Sequence, residues 1–183
     1  MTLHDISSPE DVISYLGYNV IGGSTATGTA SHLTYILKKI TTPTYPVLAI
    51  SLDLYMKGNG SNVGSFYGGI QSDSAGSPGG DIVCQGNFAG NGTGGGIVIN
   101  FLSSATPSWK SIPMGCILLP NTSYWLRAVY GGSSTAAATN IYYDTGTDNT
   151  GQDDNTWFNP GAAGTNSSRN HSLRLAVMKV ANV

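Results

Sequence analysis

Asp73-Ser-Ala-Gly-Ser-Pro-Gly79 and Leu119-Pro-Asn-Thr-Ser-Tyr-Trp-Leu126 decide how this chain folds. The first ends an extended run with Pro and Gly at turn positions, where φ is either preset or free to be positive. The second is a polar turn that leads into an aromatic strand. Around them the sequence reads as one short strand after another, over 33–41, 46–56, 63–72, 80–86, 96–103, 115–119, 122–130, 139–144 and 171–180. Leu48, Ile50, Leu52, Leu54 and Met56 alternate with Ala49, Ser51, Asp53 and Tyr55, the period of a strand with one face in a core. Ile97, Ile99 and Phe101 repeat it, as do Tyr124, Leu126 and Ala128, and then Leu173, Leu175 and Val177. The alternation predicts a core of Leu48, Ile50, Leu52, Leu54, Ile99, Phe101, Leu126, Leu175 and Val177, with Tyr124 inward and Trp125 outward beside Arg127. Strands joined by Gly-rich turns predict an all-β, antiparallel sandwich or jelly roll.

The composition limits what such a domain does. Charged residues are 10% of the 183, well below the roughly 25% of ordinary soluble domains, and Ser, Thr, Asn and 25 glycines supply the polarity. A net charge of −2, with no basic cluster beyond Lys38-Lys39, argues against nucleic acid or an acidic membrane as partner. The segment Met1-Thr-Leu-His-Asp-Ile-Ser-Ser has neither the basic nor the apolar region of a secretory signal, and no apolar run is long enough to span a bilayer. Cys84 and Cys116 have no metal-ligand spacing; buried free thiols are the expected state, a disulfide between neighbouring strands the alternative.

At the N-terminus, Ser8-Pro-Glu-Asp11 carries a cap, a proline suited to the first helical position and two acids for the positive dipole end. Val12, Ile13, Tyr15 and Leu16 follow at helical spacing, and Gly22 to Ser31 has no periodicity. The expected organisation is therefore a short helical arm and linker over 1–31 and a jelly-roll domain over 32–183. Either the arm docks on a neighbouring subunit through Val12, Ile13, Tyr15 and Leu16, or it covers an open end of its own sandwich.

The two opening motifs resemble those of jelly-roll modules in tailed-phage virion proteins and in some bacterial surface proteins, in which an acidic Gly-Pro-Gly turn precedes a turn-Tyr-Trp strand. The resemblance spans about residues 33 to 180 and is similar in kind to capsid decoration, or cement, proteins. It implies a non-enzymatic structural protein on the capsid surface, made in a host cytoplasm and bound to the major capsid protein or another virion component. The low charge adds the expectation of a homo-oligomer, a trimer. The alternative is a carbohydrate-binding module, in which Trp157, Phe158, Tyr142 and Tyr143 stack on a glycan.

Chemical motifs are weak throughout. Gly90-Asn-Gly-Thr-Gly-Gly95 matches a dinucleotide pattern, but a strand follows it where a helix N-terminus is required, so no cofactor is expected. His4, His32 and His171 stand apart, and Glu10 is the only glutamate, which leaves no acid pair for hydrolysis beyond aspartates such as Asp53 and Asp73. Asp144, Asp148, Asp153 and Asp154 offer hard oxygen ligands for calcium without the order of a helix-loop-helix calcium loop.

Overall fold

The computed structural model describes residues 12–17, 24–29, 34–57, 63–86, 96–100, 106–131, 138–144 and 170–180. They form twelve strands: β1 (Ser14–Gly17), β2 (Ser24–Thr29), β3 (Thr34–Thr41), β4 (Val47–Lys57), β5 (Val63–Ser74), β6 (Ser77–Gln85), β7 (Gly96–Asn100), β8 (Ser108–Leu118), β9 (Ser123–Gly131), β10 (Ala138–Asp144), β11 (Asn170–His171) and β12 (Leu173–Lys179). Among the described residues every pairing is antiparallel.

Two sheets share one core. The larger runs β1-β12-β4-β8, and β10, with β2 and β11, takes over beside the end of β4 at Met56 and Lys57. The smaller runs β3-β9-β5-β6, with β7 along the first half of β5. The layers stack in register, β1 over β3, β12 over β9 and β8 over β6. Leu52, Leu54, Met56, Ile112, Met114, Leu118, Leu173, Leu175 and Val177 from the larger sheet meet Ile40, Ile70, Tyr124, Leu126 and Ala128 from the smaller. This is an antiparallel, sandwich-like all-β fold, as the alternation predicts.

The second opening stretch is a crossing between layers. β8 ends in one sheet and β9 begins in the other, and the turn between them is tied to the β3–β4 connection, which makes the same crossing at Thr42. Thr42 is buried; its hydroxyl lies 2.6 Å from the Leu119 carbonyl and accepts the Thr122 N–H at 2.9 Å. The Asn121 N–H reaches the Pro43 carbonyl at 2.8 Å from a φ of 48°, a left-handed conformation that Asn tolerates. Leu119 donates its N–H to the Tyr124 hydroxyl at 3.1 Å, so the core tyrosine also holds the corner.

Four expectations are corrected. In the first stretch Gly76 takes the turn position expected of a glycine, together with Ala75, at positive φ of 88° and 50°, the geometry of a tight hairpin, but Pro78 does not: it lies within β6 opposite Asp73. The core phase of β4 slips at Ile50, where the register shifts against both β8 and β12. Val47 and Ala49 are therefore buried, whereas Leu48 on the outer phase and Ile50 at the shift itself are only half-buried. Leu52, Leu54, Leu126, Leu175 and Val177 lie in the core as expected; Ile99 is described in its backbone only, and Phe101 lies outside the described residues.

Cys84 and Cys116 form a disulfide, with Cα atoms 6.1 Å apart. β6 presents Cys84 on the inner side opposite Ile70 of β5, β8 presents Cys116 on its inner phase, and the bond staples the two sheets at their β6 and β8 edges. The expected helix, finally, is not formed over 12–17. Ser14–Gly17 is a strand pairing with β12, and Ser24–Thr29 pairs with β10, so sheet pairing crosses the boundary expected at residue 31. Leu16 packs against the core, and the close approach of Gly17 to Leu173, at a φ of +95°, admits no side chain. Residues 8–11, which carry the helix-start signals, lie outside the described residues.

Candidate interaction face

The outer face of the larger sheet gathers the residues most open to a partner. Strand alternation turns Tyr15 of β1, Arg174 of β12, Asp53 and Tyr55 of β4 and Trp109 of β8 away from the core. The Arg174 guanidinium lies between two rings, 4.0 Å from Tyr15 and 3.9 Å from Trp109. Its Nε donates to Asp53 Oδ2 at 3.1 Å, and Ser51 donates to Asp53 Oδ1 at 2.8 Å. Tyr55 packs edge-on against Trp109, with ring centroids 5.3 Å apart. Asp53 is buried, so its charge is matched by Arg174 and the Ser51 hydroxyl rather than by water. Chemically this is a clasp. The faces of the guanidinium are covered by π-systems, and Tyr15, by capping it, fastens β1 to the sheet.

The other end of the face is apolar. Met178, Leu48 and Ile117 are direct neighbours across β12, β4 and β8. Ile13, one residue before the Ser14↔Val177 pair, stands next in line on the β1 side. Ile13 is 50% exposed, Ile117 62% and Val12 65%, and Leu119 just beyond β8 is also exposed. Around the β8 edge, beyond the disulfide, β6 exposes Ile82 and Val83.

No family model, curated protein or solved structure matches this chain.

Of the residues singled out from sequence, Ile13 and Tyr15 fall on the phase of this face, Val12 is exposed just before them, and Leu16 turns into the core. Tyr142 and Tyr143 lie in β10, Tyr143 paired with His171, and only their backbone is described. Asp144 ends β10 in the same way; Trp157, Phe158, Asp148, Asp153 and Asp154 lie outside the described residues. Among the described residues, no three His, Cys, Asp or Glu side chains group as a metal set, and no helix is long and apolar enough to cross a membrane. Sequence reasoning missed Arg174, Trp109 and the row through Leu48. The signal for the row was present: Val47 to Ile50 and Cys116 to Leu119 are apolar on both phases, the pattern of strands covered on both faces.

A second cluster joins the two opening motifs on the outer face of the smaller sheet. Trp125 is fully buried although it points away from the core, and its Nε1 donates to Asp73 Oδ1 at 2.7 Å. Lys39 approaches the same oxygen at 3.2 Å and stands 5.8 Å over the indole, while the Gly76 N–H reaches Asp73 Oδ2 at 3.1 Å. Burial raises the Asp73 pKa, but the hydrogen bonds from Trp125, Gly76 and Lys39, with the Lys39 charge, outweigh it and hold the carboxyl below its ordinary 3.8.

Proposed function

We propose that this chain is a non-enzymatic structural protein of a virion: a jelly-roll capsid decoration (cement) protein that acts as a homo-oligomer, a trimer, and stabilises a shell through contacts with the major capsid protein or another virion component. The observation that carries the reading is the apolar end of the outer face, where apolar side chains from three neighbouring strands, Met178, Leu48 and Ile117, stand in one row beside the exposed Ile13 on a chain with few charges. A surface of this kind serves protein contact rather than hydration. The layer crossings at β3–β4 and β8–β9 support the jelly-roll form. The hydrogen bond between Asp73 and Trp125 supports treating the two motifs of the phage-protein resemblance as one unit. The site of action in this reading is the virion surface, after synthesis in a host cytoplasm.

A second reading, a carbohydrate-binding module, draws on Tyr15, 42% exposed beside the polar Arg174–Asp53 pair. Sedimentation across micromolar concentrations, run alongside a glycan array, separates the two. A defined oligomer that binds no glycan supports the shell reading, and a monomer that binds one overturns it.

A further inference from the structure

We infer that the Cys84–Cys116 bond is the pin of a redox-gated strand: while it stands β6 stays closed on the sandwich, and its reduction releases β6 with the other strands in place. The inference goes beyond the assembly reading above and does not depend on it.

β6 is the end strand of the smaller sheet, and among the described residues β5 is its one strand partner. The ladder between them shifts register twice, at Ile70/Gln71 and at Gln71/Asp73, and Pro78 within it has no N–H to donate. Side chains do little to make up for this. Ser77, Asp81, Ile82, Val83 and Gln85 are exposed, Pro78 is half-buried, and Gly79 and Gly80 have no side chain to bury. Among the described side chains of β6, Cys84 alone is buried, and it belongs to the core cluster. Gly86, just past the strand, lies under Ile112 and donates its N–H to the Gly68 carbonyl at 3.1 Å, but it too brings no side chain.

The strands on either side of the bond are held without it. β8 buries Ile112, Met114 and Leu118 and pairs with β4 from Val47 to Met56. β5 keeps Ile70 in the core and has β9 on its other side. Breaking the bond therefore leaves β8 and β5 anchored, whereas β6 loses its covalent tie to the opposite sheet and keeps only a thiol, a small apolar group, in the core. An element with few buried contacts opens ahead of the rest of its fold. The Gly76 N–H on Asp73 fixes the turn end of the hairpin, so release begins at the Cys84 end and uncovers the main-chain groups of β5 from Gly69 to Gln71. That free sheet edge belongs to the reduced protein.

The trigger is a dithiol. Its thiolate attacks Sγ of Cys116, the more exposed of the two residues; the S–S bond breaks, Cys84 leaves as a thiolate and takes up a proton, and the reagent's second thiol then displaces Cys116. Two electrons and two protons reach the protein, and the dithiol ends as a disulfide.

The test is native-state amide hydrogen exchange of the full chain, oxidised and in dithiothreitol, read over 81–86 in and just past β6 and over 47–57 and 173–179 in β4 and β12 as references. Exchange through global unfolding rises by one common factor everywhere, so the informative quantity is the excess in β6. The expected result is a rise over 81–86 at least about tenfold greater than in the two references, and the same pattern without reductant in Cys84→Ser/Cys116→Ser. Exchange in β6 that rises no more than in β4 and β12, or a serine variant that protects β6 as well as the oxidised protein does, overturns the inference. So does loss of the whole sheet signal in circular dichroism on reduction, because release would then not be confined to β6.

Discussion

Asp73 shows how much of this fold rests on single side chains. Its carboxylate accepts from Trp125, Lys39 and Gly76, and so fixes a hairpin, an indole and β3 at one point. Because its pKa is lowered in the folded state, its contribution is complete above the unfolded value of 3.8 and is lost as pH falls through the folded value below that. Asp73→Asn should therefore be less stable than wild type at neutral pH by about 1–3 kcal/mol. Denaturant titrations should also show a shallower loss of its stability between about pH 5 and pH 2. A wild-type acid limb in the variant would show that another carboxylate sets it. In β4 the register shift at Ile50 makes a second pair of residues informative. Leu52→Ala empties a core site and should cost about 2–5 kcal/mol, whereas Leu48→Ala, outward and half-buried, should cost less than about 1 kcal/mol in the monomer. Equal costs in urea unfolding would put the shift in the wrong place. The sequence carried the strand but not its phase here, because Val47 to Ile50 is apolar on both sides and alternation cannot choose between two apolar registers.

At the scale of elements, the strands from β3 to β12 were largely legible, since period-two alternation bounded by Gly and Pro marks them. The first half of β8 was not: Ser108 to Pro113 contains a lysine, two serines and a proline, and sheet pairing with β4 overrides their weak strand preference. β1 was missed for a related reason. Val12, Ile13, Tyr15 and Leu16 fit a helix as well as a four-residue strand, and what selects the strand is remote in sequence: pairing with β12 and the clasp of Arg174 on Tyr15. Removing that clasp by Arg174→Ala leaves Asp53 buried without its cation and should destabilise the fold by about 3–5 kcal/mol. Amide exchange at 14–17 should rise with it; unchanged exchange there would show that β1 is held without Arg174. The disulfide was open in the sequence because connectivity depends on strands 32 positions apart meeting across the core. For a loop of that length, reducing it should lower stability by about 3–4 kcal/mol, read as a fall in the unfolding midpoint under a reductant that Cys84→Ser/Cys116→Ser no longer shows.

For the whole molecule, the segment expected to be a detachable arm is part of the sandwich over Ser14–Gly17 and Ser24–Thr29. Deleting residues 1–17 removes an edge strand, the core contact of Leu16 and the aromatic lid on Arg174, and should lower the thermal midpoint by several degrees, on the order of 4–8 °C per kcal/mol lost for small domains and about half that for larger ones. A truncated chain that melts with the full-length protein would restore the detachable arm. The candidate face was legible only in part, since a row across three strands exists only once their registers are known. The inter-sheet bond adds a dimension of time. If the chain is made in a reducing cytoplasm, as proposed, it folds before Cys84 and Cys116 can join, and the bond forms only when the particle meets an oxidising exterior. The protein would then exist in a younger, softer form while particles are being built and an aged, harder one after release, with the same sequence and fold and a different tolerance of heat.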